Sequence, residues 1–202
     1  MKRILLAATA VAASVTAAAP ASAAVQFTGS TQGCFGALCA PGGPTATDFE
    51  LVYTVGSFDQ AADPSGFLGV GGVTDNLGSF TLGADARTYT GDIFRLLVNF
   101  TQPGTGSQLY QALLQGTVTS VNGGSVFINF DNTPQLITAS NGSEFTLQVN
   151  DVSVAAGGAV QVLSGQLQAV PEPATWAMML LGFAGIGMTI RRGRKPALAQ
   201  IA

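Results

Sequence analysis

Ile93-Phe94-Arg95-Leu96-Leu97-Val98-Asn99-Phe100 puts Phe94, Leu96, Val98 and Phe100 on one side of an extended chain and Arg95, Leu97 and Asn99 on the other. Successive strand side chains point to opposite faces, so this period of two reads as a half-buried strand. Pro103-Gly104-Thr105-Gly106 ends it, and Leu109 to Val121 reads as a long partner with Tyr110, Ala112, Leu114, Gly116 and Val118 on one side. Leu109 to Gln115 alone also fits a helix, but the continuation Thr117-Val118-Thr119 pulls the segment toward strand. Asn122-Gly123-Gly124 then turns the chain, and Asn-Gly is a strong hairpin signal. Val126 to Phe130 returns along it.

Working outward, Phe49-Leu51-Tyr53-Val55 alternates with Glu50, Val52 and Thr54, and Leu77 to Gly83 gives a short strand on Phe80 and Leu82. Cys39 to Thr47 and Asp59 to Gly72 read as loop, and Asp75-Asn76 and Ala84-Asp85 as turns. Leu136 to Thr138 is a brief edge strand, Phe145-Leu147-Val149 alternates again, and Val160 to Leu167 is the last strand, with Val160, Val162 and Ser164 on one face. Eight or nine strands and no interior helix predict an all-β fold, an antiparallel β-sandwich of jelly-roll or immunoglobulin-like type.

The two ends are of another kind. Met1-Lys2-Arg3 is basic, Ile4 to Ala19 is apolar, and Ala21-Ser22-Ala23 supplies the small residues that signal peptidase reads at Ala21 and Ala23. Residues 1–23 therefore read as a secretory signal peptide, the alternative being an N-terminal anchor. At the other end stand Pro171-Glu172-Pro173, an uncharged run over 174–190 that opens near Trp176, and the cations Arg191, Arg192, Arg194 and Lys195. Seventeen apolar residues lie at the lower limit for a single transmembrane helix, and the basic cluster beyond would stay cytoplasmic. A buried helix of a soluble domain is the competing reading. Residues 196–202 form a short tail.

This combination of Pro-Glu-Pro, Trp176-Ala177-Met178, apolar run and basic end resembles the PEP-CTERM sorting signal, in the form common among alphaproteobacterial proteins. The resemblance covers about the last thirty residues. It implies a Gram-negative exported protein recognised by an exosortase, an integral-membrane transpeptidase, with processing near the Pro-Glu-Pro motif. An inner-membrane intermediate would precede delivery to the cell surface or extracellular matrix, often alongside exopolysaccharide production.

Between the signals, residues 24–169 form the secreted domain. It has ten acidic residues against Arg87 and Arg95 alone, a formal charge of −8. Such a surface is unsuited to nucleic acid, whose phosphates need cations, and opposes direct adhesion to an acidic polymer unless divalent cations bridge the two. The only cysteines, Cys34 and Cys39, most simply form a disulfide around a small loop in an exported chain.

A histidine-based triad is excluded, because the chain has no histidine. Asp92, Asp131, Glu144 and Asp151 are the acids whose convergence would make a carboxylate pair for glycan hydrolysis. Calcium is the cofactor that loop oxygens could take, at Asp59 with Asp63, Asp75 with Asn76, or Asp131 with Asn132, yet none completes a calcium-loop pattern. Phe27, Phe58 and Phe67 are either core or a contact patch. The expectation is a non-catalytic surface or matrix protein. The alternative is a secreted carbohydrate-binding module or glycan-active enzyme, against which the single tryptophan, placed in the tail, weighs.

Overall fold

The alternating stretch Ile93–Phe100 is the middle of the longest strand in a computed structural model that describes residues 24–119, 123–170 and 173–193. The first strands are β1 (Gln26–Phe35), β2 (Thr45–Asp48), β3 (Leu51–Thr54), β4 (Ser57–Ala61), β5 (Phe67–Val70) and β6 (Ser79–Leu82). Next come β7 (Arg87–Gln102), β8 (Gly106–Thr119), β9 (Gly123–Phe130) and β10 (Gln135–Thr138). The chain closes with β11 (Glu144–Val149), β12 (Val152–Ala155), β13 (Gln161–Val162), β14 (Gly165–Ala169) and the helix α1 (Pro173–Gly193).

Every strand pairing is antiparallel. One six-stranded sheet runs β12-β9-β8-β7-β1-β4, and two four-stranded sheets run β10-β11-β14-β5 and β13-β6-β3-β2. Both small sheets pack on one face of the large one, because Phe94 and Phe100 of β7 share that face. Phe94 meets Tyr53 and Phe80 of one small sheet at centroid distances of 4.9 and 5.1 Å. Phe100 meets Phe145 of the other at 4.7 Å. These tilted and edge-on contacts are the favourable arrangements for aromatic rings.

The β7–β8–β9 meander follows the expected faces: Phe94, Leu96, Val98 and Phe100 are buried, as are Tyr110, Ala112, Leu114 and Val118. The turn expected at Asn122 lies outside the described residues, though Thr119 pairs with Gly123. Phe27 and Phe58 are core, while Phe67 is partly exposed.

Four sequence expectations are corrected. The segment read as loop through Thr47 contains β2, and Asp59 to Gly72 contains most of β4 and all of β5. Phe49 is no strand residue: it stands in the two-residue turn joining β2 to β3, with φ of 52°. The last strand is split. Val162 pairs with Ser79 in one small sheet and Gly165 with Val70 in the other, so the chain changes sheets at Leu163–Ser164. Two further strands, β1 and β12, are not expected as strands from the sequence.

The reason β1 is silent lies in its buried face, which consists of Phe27, Gly29, Thr31 and Gly33. The inner volume there belongs to rings from other strands. A Cβ on Gly29 would stand against the Phe58 ring, and one on Gly33 would come 2.6 Å from Tyr53 and 2.7 Å from Phe94. Thr31 completes the fit: its hydroxyl and the Tyr53 hydroxyl lie 2.6 Å apart, and Tyr53 donates to the Leu77 carbonyl at 2.8 Å. A buried hydroxyl pair needs such partners, since an unsatisfied one costs about 1–3 kcal/mol. Burial pushes the Tyr53 hydroxyl well above its ordinary pKa.

Candidate functional site

The tail departs from the sheet abruptly. Ala169 is the last residue of β14 and pairs with Phe145, and the Val170 amide donates to the Glu144 carbonyl at 3.0 Å. Helix α1 begins at Pro173, a position where proline's fixed φ and missing N–H cost nothing. From Met179 to Ile190 its described side chains are exposed, among them Leu180, Leu181, Phe183 and Ile186. A helix apolar on all sides is at home only in an apolar surrounding.

Among the described residues, no helix is long and apolar enough to cross a membrane. The transmembrane run expected over 174–190 is thus observed as a helix but not as a span. Its uncharged part rises only about 26 Å at 1.5 Å per residue, against about 30 Å of hydrocarbon. Three glycines and Thr189 dilute it further. Pro173 and the backbone of Trp176, Arg191 and Arg192 belong to α1. Pro171, Glu172, Arg194, Lys195 and the leader with Ala21 and Ala23 lie outside the described residues.

Cys34 and Cys39 are joined by a disulfide, with Cα atoms 6.0 Å apart. Cys34 sits opposite Arg95 in the β1–β7 ladder, and Arg95 Nη1 donates to the Cys39 carbonyl at 2.6 Å. The small loop is therefore fastened to the large sheet at both ends.

The loop acids named as calcium candidates are occupied by local donors. Asp59 accepts from Thr28 and Gln26, both at 2.7 Å, and its own amide donates to Asp75 at 2.9 Å. The structure thus brings Asp59 to Asp75 rather than to Asp63. Asp63 accepts from the Ser65 hydroxyl and amide and the Phe67 amide. Asp131 does the same for Thr133. These hydrogen bonds favour the ionised forms: the Thr28 hydroxyl lowers the pKa of Asp59, the Ser65 hydroxyl that of Asp63, the Asp59 amide that of Asp75, and the Thr133 hydroxyl that of Asp131. Asn76, half of one proposed calcium pair, spends its side chain on Gly72, Val73 and Gly78 backbone groups. Among the described residues no three metal-ligating side chains of His, Cys, Asp or Glu type gather in one place.

The four acids considered for glycan hydrolysis are not one cluster. Asp131 and Asp151 are neighbours through Asn132, which donates to Asp151 at 3.0 Å. Glu144 opens β11 opposite Thr138, and Asp92 lies within 3.8 Å of Arg87.

Sequence reasoning missed the site that Arg87 builds. Its guanidinium lies 3.4 Å from the Phe49 ring centroid and 4.9 Å from that of Tyr89. It also reaches Asp48 at 3.4 Å. Gly91, at φ of 79°, makes the bulge in β7 that brings Asp92 to the same cation. Burial raises the pKa of Asp48, and the neighbouring Arg87 opposes that rise. Beside this cluster is a pocket of about 540 Å³ lined by Phe49, Glu50, Asp85, Ala86, Arg87, Thr88 and Tyr89. Glu50 lies against Gly83, whose missing side chain leaves it room. The available signal was Asp48-Phe49-Glu50, a large apolar residue between two acids, at a place where a turn was not looked for.

Compared with known proteins, residues 169–195 match the family model described as PEP-CTERM protein-sorting motif. No curated protein and no solved structure matches the chain. The match begins at the last residue of β14 and takes in the whole of α1.

Proposed function

We propose, from the protein-sorting motif at residues 169–195, that this is an exported surface or matrix protein delivered by its tail. Signal peptidase removes residues 1–23, and an exosortase-like membrane transpeptidase acts near Pro171–Pro173. The observation that carries the reading is the coincidence of motif and structural boundary. Among the described residues the last hydrogen bond into the sheets is that of Val170, and the apolar helix starts at Pro173, so processing between them would leave those sheet bonds whole.

Before processing, α1 resides in the inner membrane. A helix a few ångströms short is accommodated by local thinning and by cations that reach the interface along their aliphatic stems. The two-layer packing of the secreted domain supports a β-sandwich of jelly-roll or immunoglobulin-like kind; in this proposal it acts as a non-catalytic module, with exopolysaccharide as its surroundings.

Intact mass and localisation in cells with and without the transpeptidase test this. The expected result is loss of everything beyond about Pro171, and surface display, only where the enzyme is present. A mature protein that keeps Trp176 to Lys195 in both strains would show a plain anchor and overturn the reading.

A further inference from the structure

We propose that the pocket beside Phe49 and Arg87 binds a neutral hexopyranose unit of a glycan, a role that stands or falls independently of how the tail is processed. Four features of the site converge on this ligand. Phe49 is the sole non-glycine residue with positive φ among the described residues, at 52°. Glycine is the usual occupant of that turn position, and a backbone outlier over-determined by its surroundings is a pointer to function. The side chain so placed is an aromatic ring left 73 % exposed.

The ring is held from one side only. Arg87 covers one face at 3.4 Å, and Arg87 is itself fixed by Asp48, Asp92 and the Tyr89 ring. The open face is then a rigid apolar platform that loses little freedom on binding. A pyranose presents a matching face of C–H groups with hydroxyls around its rim.

Acceptors and donors for those hydroxyls stand at the platform's edge. Glu50 and Asp85 line the pocket, and the Arg87 nitrogens Nη1 and Nε donate to no group among the described residues. The volume of about 540 Å³ is of small-molecule size.

Charge selects the class. Asp48 and Asp92 pair with Arg87, and Glu50 and Asp85 line the pocket beside it, so an acidic sugar would meet net repulsion. An organic cation would be drawn by the same carboxylates, but a single ring with one face already taken by Arg87 builds no aromatic cage around it, and spermidine in the test below separates the two ligand classes. A neutral polyol meets no net repulsion and uses both the ring face and the rim of donors and acceptors.

The test uses the full chain in nanodiscs, titrated with cellotetraose, maltotetraose and mannotetraose as neutral probes, tetragalacturonate as an acidic one and spermidine as a cation. Nuclear magnetic resonance follows the Phe49 ring and the Arg87 Nε–H. The expected result is saturable shifts at both groups with at least one neutral tetrasaccharide. Phe49→Gly, which suits the turn and so keeps the fold, should weaken that binding by about tenfold or more. The proposal is overturned if no neutral probe shifts these signals, if Phe49→Gly binds as well as the parent, or if only tetragalacturonate or spermidine binds.

Discussion

Phe49 shows how a single residue can be unfavourable for its own backbone and still be held. Its left-handed conformation costs roughly 1–2 kcal/mol for a residue with a Cβ, while the Arg87 stack returns about 0.5–1 kcal/mol at an exposed site. The two substitutions that remove the ring should therefore differ. Phe49→Ala loses the stack and keeps the strain, and should destabilise by about 0.5–1 kcal/mol. Phe49→Gly loses the same stack but relieves the strain, and allowing for glycine's greater freedom when unfolded should come out near neutral, within about 0.5 kcal/mol. Urea denaturation of both variants checks the order, and a glycine variant less stable than the alanine one would refute the account. This site was not legible in the sequence because a phenylalanine between Asp48 and Glu50 reads as one more apolar position of a strand. Only the pairing of Asp48 with Leu51 reveals a two-residue turn there.

Strands advertise themselves when their own side chains fill the core, and β7 and β8 do so at every second position. In β1 the core-facing positions are surrendered to rings borne by β3, β4 and β7, leaving Gly29, Thr31 and Gly33 with no apolar signal. The same logic hides the break between β13 and β14, where an unbroken Val160 to Leu167 pattern serves two sheets in turn. It also yields a sharp expectation. Gly33→Ala drives a methyl into the Tyr53 and Phe94 rings and should cost about 1–3 kcal/mol by overpacking. An alanine at Gly69, where a Cβ meets nothing within 4 Å, should cost far less, and chemical denaturation of the pair separates a steric cost from a generic loss of glycine. The disulfide acts on the same element. Replacing both Cys34 and Cys39 by serine opens a loop of few residues and should cost about 2 kcal/mol, readable as a lower urea midpoint.

For the molecule as a whole, the titratable groups set a pH profile with a definite sign. Asp59, Asp63, Asp75 and Asp131 have folded pKa values below the ordinary one, so each stabilises the fold above its unfolded value near about 3.9 and loses that contribution as pH falls through the lower folded value. Asp48, shifted upward, acts oppositely and is weakest in support once ionised. With no histidine in the chain, nothing of that kind titrates near neutrality. Thermal melts should be level between about pH 6 and 8 and fall below about pH 4, and a slope of more than about 2 °C across the neutral window would contradict this. The all-β class and the tail were legible from end to end of the sequence, since alternation and a long apolar run are local signals; the partition into three sheets rests on which distant strands meet, which no local pattern records. One feature of that partition bears on mechanics. The chain leaves through β14, an inner strand flanked by β11 and β5, and only Pro171 and Glu172 separate Val170 from the helix, a reach of no more than about 11 Å. A pull on the tail is thus delivered along β14 with almost no slack and strains its hydrogen bonds to both neighbours at once, in shear. An attachment at this end makes the sheet's firmest direction the one that tension follows, so traction there loads many hydrogen bonds together instead of peeling them one by one.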